Sequence, residues 1–229
     1  MKMLWIKTFV GLIFQAAILA LLLYLPAWTL FWEDALVWFL VNYSIIILAC
    51  VYLLIVKPKS LEARLNMETE EQPKADKLAT ILMVGALIVG LVLCPIDVFH
   101  LQLTPSFTGS IKFFGLILNI IGILFIIISM SANEFAEPTV HIQKNRGQKA
   151  ISSGIYAYIR HPMYTGFLFY MVGTNIWLGT YLSLIVASIL LFIGLYFRIS
   201  IEEKTLKNGL EGYLEYSEKV KARLIPFIF

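Results

Sequence analysis

Residues 177–181 join two apolar segments, 162–178 and 181–197, and therefore determine how the C-terminal half folds. Their sequence is Trp177-Leu178-Gly179-Thr180-Tyr181. A connection of little more than Gly-Thr requires two consecutive helices to run antiparallel and side by side. We therefore predict a tight helical hairpin. Three small residues in these segments would permit close helix contact. They are Gly166, Gly173 and Gly194.

Composition extends the helical prediction to the whole chain. Of the 229 residues, 59% are apolar and only 14% are charged, which is typical of an integral membrane protein. Four further apolar segments, at 8–25, 35–56, 78–95 and 111–130, approach the roughly 20 residues that a bilayer-spanning helix needs. The sequence thus predicts an all-α polytopic membrane protein with about six transmembrane helices, the last two forming the hairpin, and a cytoplasmic C-terminal helix.

The first apolar segment runs on to Leu25 without a small-residue cleavage site, so we predict a retained membrane helix and not a signal peptide. We divide the chain into a four-helix membrane region, 1–130, and a cytoplasm-facing cofactor-binding region, 131–229. The second region contains the hairpin.

Lysine and arginine residues predict the orientation. If the N-terminus is cytoplasmic, all 18 of them except Lys112 lie on the cytoplasmic side, as the positive-inside rule expects. Both termini are then cytoplasmic. The formal net charge of +3 is spread over loops that meet anionic headgroups, so the expected partners are membrane lipids and not nucleic acid. The mixed charges of residues 57–77 indicate a solvated connector.

Cysteines and histidines show no metal-site spacing. Cys50 and Cys94 each lie within an apolar run, where packing is the simplest role. The histidines, His100, His141 and His161, are scattered and lack the spacing of zinc ligands. We therefore expect no metal.

A long polar segment precedes the hairpin. Residues 133–160 include a strand-like alternation at 139–143 and a turn at 144–147. A mixed segment of this length is either a disordered loop or a lid over a site. Its aromatic and aliphatic side chains favour a lid.

The motif Arg160-His161-Pro162-Met163-Tyr164 begins the hairpin. Proline suits the first helical turn, so Pro162 is expected to start a helix whose N-terminal N–H groups face an anion such as a carboxylate. The alternative is that Arg160 extends to lipid phosphate and that His161 is an ordinary interfacial histidine. The motif alone does not decide between them.

A second polar patch ends the hairpin. Arg198 and Glu202 lie one turn apart on one helix face, with Glu203 on the neighbouring face. Surface salt bridges are the alternative role. Because the hairpin is short, however, it returns these residues to the membrane level of the motif at 160–164.

Several motifs follow one another in a fixed order. They are Gly154-Ile155-Tyr156, Arg160-His161-Pro162-Met163-Tyr164, Gly166, Arg198, Glu202-Glu203, Leu206, Tyr213, Tyr216 and Arg223-Leu224-Ile225-Pro226. In this order and spacing, from about Thr139 onward, the chain resembles the isoprenylcysteine carboxyl methyltransferases and their relatives, the phospholipid methyltransferases. The resemblance implies a site for S-adenosylmethionine entered from the cytoplasm, with a lipid-borne acceptor arriving laterally from the bilayer.

The same resemblance assigns roles to residues. It implies that Arg198 is the catalytic residue, close to the acceptor carboxylate. His161 and the helix N-terminus would hold the carboxylate of S-adenosylmethionine, and Glu202 or Glu203 would take its ammonium or ribose hydroxyls. Tyrosines would flank the adenine or the sulfonium. The full expected cofactor site is Tyr156, Tyr158, Arg160, His161, Pro162, Tyr164, Glu202 and Glu203.

The chemistry of the acceptor decides whether a base is needed. A carboxylate acceptor needs none, and Arg198 would only orient it. An amine or hydroxyl acceptor needs a proton acceptor, and His161 or a glutamate would have to serve.

Two other functions share this scaffold. One is an NADPH-dependent membrane sterol or enone reductase, whose similar motif reads Arg-His-x-Asn-Tyr, whereas this chain has Met163 before Tyr164. The other is a non-catalytic membrane binding or assembly protein. The chain also has Gly154-Ile155-Tyr156 where the methyltransferase family often has Gly-Pro-Tyr, and no residue in it specifies a prenylcysteine.

Overall fold

Eight α-helices form the architecture in the computed structural model, which describes residues 2–65, 74–135, 139–143 and 146–226. In chain order they are α1 (Lys2–Ala27), α2 (Glu33–Val56), α3 (Pro58–Leu65), α4 (Lys74–Ile96), α5 (Gly109–Ala132), α6 (Pro162–Leu178), α7 (Tyr181–Gly209) and α8 (Tyr213–Lys219). A π-helical turn, Asp97–Leu101, continues α4, and a 3₁₀ turn, Gly154–Ala157, precedes α6.

Five of the described helices are long and apolar enough to cross a membrane. They are α1, α2, α4 with its π-helical turn, α5 and α7. The predicted all-helical membrane class is therefore confirmed. Helix α6 has 17 residues and is shorter than these five, although only Gly179 and Thr180 separate it from α7.

Glycines bring α5 and α6 into backbone contact. A Cβ atom on Gly122 would collide with the backbone nitrogen of Tyr170, and one on Gly173 would collide with that of Asn119. Gly166 lies against the carbonyl of Gly122 in the same seam. Glycine is the only residue that permits so close an approach of two helices.

This arrangement corrects the predicted role of the three hairpin glycines. Gly166 and Gly173 of α6 face α5, and Gly194 of α7 faces Met83 of α4. The small residues therefore pack the hairpin onto its neighbours and do not pack its two helices together. Sequence spacing identified small contact points, but it carried no information about which helix lies opposite.

Buried polar side chains fix the helices far from the polar motifs. Thr174 of α6 accepts hydrogen bonds from Trp38 Nε1 at 3.2 Å and from Asn119 Nδ2 at 2.9 Å. Beyond the other end of α4, Asp97 accepts from the hydroxyls of Thr180 at 2.6 Å and Thr104 at 3.0 Å. Such bonds satisfy polar groups that would be costly to bury alone.

Irregular chain and α8 complete the end of the molecule that carries the polar motifs. The strand-like alternation predicted at 139–143 forms no strand, and residues 144–145 of the predicted turn lie outside the described residues. The backbone N–H groups of Arg160 and His161 donate to the carbonyls of Ala222 and Arg223, at 3.0 and 2.9 Å. These two bonds attach the C-terminal segment to the start of α6.

Candidate active site

The start of α6 and the last turns of α7 meet at one polar cluster, as the short connection predicts. Pro162 occupies the first turn of α6, with His161 immediately before it. Arg198, 34 residues after Tyr164, donates from Nε to the Tyr164 hydroxyl at 3.0 Å. The two motif patches therefore form one site.

Arg198 is buried, with 1% of its surface exposed. Its Nη1 donates to Asp76 Oδ1 at 2.6 Å and to Thr80 Oγ1 at 2.6 Å, so α4 binds a different nitrogen of the guanidinium from the one that binds Tyr164. A buried guanidinium requires this pairing, because an uncompensated charge in the interior is very costly.

The two adjacent glutamates have different surroundings. Glu202 keeps 26% of its side chain exposed, lines the site cavity, and accepts a 2.5 Å hydrogen bond from the Tyr164 hydroxyl. Glu203 is buried and bound to Arg160, whose Nε and Nη2 lie 2.7 and 2.6 Å from its Oε1. Glu202 thus faces the cavity, and Glu203 is enclosed in ion pairs.

Arg160 serves as a clamp on the C-terminal segment. Its Nη1 donates to the backbone carbonyls of Ser217, Val220 and Lys221, at 3.2, 2.7 and 3.1 Å. With Glu203 on its other side, the guanidinium is used within the protein. These contacts do not match the alternative in which Arg160 extends to lipid phosphate.

His161 lies between the two glutamates. Its Nε2 is 3.3 Å from Glu203 Oε1, its Nδ1 is 3.9 Å from Glu202 Oε1, and its ring stacks on that of Tyr164 at 5.5 Å. The N–H groups of Tyr164 and Thr165 donate to the His161 carbonyl. These bonds leave the start of α6 with fewer N–H groups for an anion than the proline motif suggests.

A cavity of about 400 Å³ opens beside this cluster. Its polar end is formed by side chains of the motifs, including His161, Tyr164, Arg198 and Glu202. Its apolar walls come from α4 on one side and from α5 and α6 on the other. The wall residues are Met83, Val84, Leu87, Ile126, Met130 and Phe167. One space therefore connects a charged end with a surface suited to hydrocarbon.

The tyrosines of the motifs divide into two groups. Tyr156 is buried in the cavity wall, where burial raises the pKa of its hydroxyl to about 12. Gly154, which starts its 3₁₀ turn, has φ +60°, a conformation that glycine adopts readily. Tyr158 is 72% exposed and does not line the cavity. The structure thus brings every predicted side chain except that of Tyr158 to the cluster or the cavity.

Sequence reasoning did not assign a site role to two further tyrosines. Tyr213 and Tyr216 of α8 line the cavity. Among the described residues, the buried Tyr213 hydroxyl has no hydrogen-bond partner. Burial, followed by the nearby charges of Glu202 and Glu203, raises the pKa of Tyr213, so its hydroxyl stays protonated and can donate to a ligand. Both tyrosines occur in the ordered motif series, which was the available signal.

Asp76 and Thr80 were also missed. Asp76 lies at the end of the charged stretch 57–77, which the sequence indicates to be a solvated connector, yet it is fully buried against Arg198. No local pattern distinguishes it from the other acids of that stretch, because its partner lies 122 residues away. This part of the connector prediction is wrong.

Comparison with known proteins gives the cluster a context. Residues 111–211, which span α5, α6 and α7, match the family model described as phospholipid methyltransferase. The protein-S-isoprenylcysteine O-methyltransferase of Schizosaccharomyces pombe is 36% identical over 87 residues, covering 38% of this chain and 36% of that protein. The predicted family resemblance is confirmed. A probable protein-S-isoprenylcysteine O-methyltransferase of Oryza sativa is 34% identical over 121 residues, covering 52% of this chain and 62% of that protein.

The fold has a solved counterpart in this methyltransferase family. A structure of the eukaryotic intramembrane Ras methyltransferase, isoprenylcysteine carboxyl methyltransferase, superimposes with a TM-score of 0.57 and 23% identity, over 93% of this chain and 75% of that one. The sequence match to the human protein-S-isoprenylcysteine O-methyltransferase covers 39% of this chain and 31% of that protein. The matched sequence therefore spans less than half of the length of the Schizosaccharomyces pombe and human relatives.

Proposed function

We propose that this protein transfers a methyl group from S-adenosylmethionine to a lipid-like acceptor in the membrane, with an isoprenylcysteine-type carboxylate as the leading candidate. One observation carries the proposal: a single cavity joins the charged cluster at the end of α7 to apolar walls between α4 and α5. A water-soluble donor and a hydrocarbon-bearing acceptor need such a space. The names of the relatives support methyl transfer to a prenylcysteine.

The polar end of the cavity fits the donor. The whole cavity, with its apolar part, has a volume of about 400 Å³, within the roughly 300–1,000 Å³ usual for small-molecule sites. The buried Tyr213 hydroxyl has no partner among the residues that the structure describes, and Glu202 presents a carboxylate to the cavity. In this proposal Glu202 takes the ammonium or ribose hydroxyls, Tyr213 donates a hydrogen bond, and Tyr156 provides an aromatic wall. When bound, S-adenosylmethionine would supply a methyl group on a sulfonium leaving group.

Glu203, Arg160 and His161 support the donor site from behind. Glu203 binds both Arg160 and His161, and Arg160 binds backbone carbonyls of the C-terminal segment, such as that of Val220. Their main contribution is then to fix the positions of Glu202 and of α8. Pro162 contributes by starting α6 at this level.

Arg198 would orient the acceptor. Because Asp76 already balances its charge, Arg198 contributes direction more than affinity. The affinity would come from hydrocarbon buried against Met83, Leu87 and Phe167 in the cavity wall. A carboxylate acceptor would need no base, so His161 could remain bound between the two glutamates throughout.

We further propose six membrane crossings, with α6 and α7 as the hairpin. Helix α6 is about 26 Å long, close to the roughly 30 Å hydrocarbon core. Residues 1–130 then form the membrane region, residues 131–229 form the cytoplasm-facing region, and both termini and the cofactor site are cytoplasmic. A reporter fused after Phe229 should be active in the cytoplasm, and a reporter active on the opposite side would refute this topology.

Methyl transfer can be tested directly. Purified protein with radiolabelled S-adenosylmethionine should label a synthetic farnesylcysteine analogue bearing a free carboxylate, and should leave its methyl ester unlabelled. Screening of host lipid and membrane-protein fractions then covers other acceptors. Calorimetry that shows binding of NADPH and none of S-adenosylmethionine would replace this proposal with the reductase alternative.

A further inference from the structure

Asp76, at the start of α4, is fully buried and uses its two carboxylate oxygens in two directions. Oδ1 lies 2.6 Å from Arg198 Nη1. Oδ2 accepts a hydrogen bond from the backbone N–H of Val140 at 3.1 Å. One side chain therefore contacts both the arginine of the site and the irregular chain before α6.

The next turn of α4 strengthens the contact with Arg198. Thr80 accepts a 2.6 Å hydrogen bond from Arg198 Nη1 and donates its own proton to the Asp76 carbonyl at 2.9 Å. Tyr164 accepts from Nε on the other side of the guanidinium. Arg198 is thus held from two directions, and α4 provides the charged one.

The chain that Val140 belongs to covers the cavity. We name residues 139–143 and 146–151 the covering segment. Its cavity-lining members are Thr139, Val140, His141, Gln148, Lys149, Ala150 and Ile151. Val140 itself is 5% exposed, so its N–H group needs a protein acceptor, and Asp76 supplies one.

The energetics favour a shared role. A buried carboxylate is stable only when its charge is paired and its oxygens accept hydrogen bonds. Arg198 supplies the charge and Val140 supplies one of the bonds. Loss of either contact weakens the other, because both depend on the same carboxylate staying in place.

We propose that Asp76 is a positioning residue that links the seating of the covering segment to the orientation of Arg198. In this role it keeps the guanidinium aimed at the acceptor while the covering segment lies over the cavity. The inference rests on the proposed function for its kinetic consequence, whereas the physical link between Asp76, Arg198 and Val140 can be measured without turnover.

Asp76→Asn in the full-length protein is the main test, because asparagine keeps the size and one acceptor oxygen but removes the charge. We expect an unchanged dissociation constant for S-adenosylmethionine and a fall in kcat of about 30-fold, since a misplaced orienting group typically costs up to about 100-fold. In the Arg198→Gln background the same change should cost less than about threefold, because the two residues act as one unit. Hydrogen exchange at the Val140 amide should accelerate in Asp76→Asn.

Asp97→Asn is the matched control. Asp97 is also a fully buried acid, directly after α4, but it binds Thr180 and Thr104 far from the cluster. Asp97→Asn should lower the thermal midpoint and leave kcat per folded molecule unchanged, both in the wild-type protein and in the Arg198→Gln variant. The inference would be overturned if the fold-loss in kcat of the double variant equalled the product of the fold-losses of Asp76→Asn and Arg198→Gln. Asp76 would then have only a structural role.

Two further arms keep the outcomes separable. If Asp76→Asn does not fold, Thr80→Val removes one Arg198 acceptor with little change in shape, and a wild-type kcat for that variant would refute the positioning role of this helix turn. If the wild-type protein methylates no acceptor, the proposed function fails on its own. Exchange at Val140 then still decides the link, and unchanged protection in Asp76→Asn would contradict it.

Discussion

The Tyr164 hydroxyl donates to Glu202 Oε2 at 2.5 Å and accepts from Arg198 Nε at 3.0 Å. One hydroxyl therefore lies between the carboxylate proposed for the donor and the guanidinium proposed for the acceptor. Its bonds fix the relative positions of the two groups, and methyl transfer requires donor and acceptor to be held in a fixed relative geometry.

Tyr164→Phe removes this hydroxyl while keeping the ring that stacks on His161. We expect kcat to fall by about 10- to 100-fold, because Arg198 and Glu202 lose their common partner. The rate of methyl transfer at saturating donor and acceptor measures this. Tyr158→Phe is the control, since that side chain is exposed outside the cavity, and equal losses in both variants would contradict the assignment.

Glu202→Gln and Glu203→Gln should separate binding from stability. Glu202 faces the cavity, so its loss should weaken S-adenosylmethionine binding by about 10-fold, the worth of one charge-assisted hydrogen bond. Glu203 is buried among Arg160, His161 and Arg223. Its neutralisation should lower stability by about 3 kcal/mol. Calorimetry measures the donor affinity, and thermal unfolding in detergent measures the stability. If Glu202→Gln lost stability and Glu203→Gln lost donor affinity, the roles of the two glutamates would be exchanged.

Tyr213→Phe tests the unpartnered hydroxyl. Because this hydroxyl makes no hydrogen bond to a described residue, its removal should change the free energy of unfolding by less than about 0.5 kcal/mol. Donor binding should nevertheless weaken by about fivefold, since a ligand hydrogen bond is lost. The matched variant Tyr216→Phe loses a 2.8 Å bond to the Tyr156 carbonyl and should therefore destabilise the protein. Unchanged donor affinity in Tyr213→Phe would exclude that hydroxyl from the site.

Gly122→Ala tests the contact between α5 and α6. The added methyl group would meet the backbone of Tyr170, which cannot move aside as a side chain can, so a loss of about 1–3 kcal/mol is expected. Gly85→Ala in α4 is the control, because no described atom outside the adjoining backbone of α4 lies within 4 Å of its added Cβ. It should be neutral or stabilising by up to about 1 kcal/mol. Thermal midpoints in detergent distinguish the two, and equal midpoints would contradict the close backbone contact.

The parts of the site that could be predicted are those that local chain geometry determines. The two-residue link at Gly179 and Thr180 places Tyr164 and Arg198 at one level, whatever the rest of the chain does. The partner of Arg198 could not be predicted in this way, because burial of Asp76 depends on how α4 packs against α7. The same limit explains the glycines, whose size is visible in sequence while the opposing helix is not.

Asp76 and Asp97, buried acids near opposite ends of α4, have a mechanical consequence. Asp76 binds Arg198 within α7, and Asp97 binds Thr180 just before α7 begins. Two helices bound to each other near both ends of α4 resist sliding along one another, so α4 and α7 behave as one rigid pair. The close contacts at Gly122, Gly166 and Gly173 make α5 and α6 a second rigid pair. The apolar walls of the cavity come from α4 on one side and from α5 and α6 on the other, so the contacts that join these two pairs, such as the hydrogen bond between Arg198 and Tyr164, set the width of the cavity.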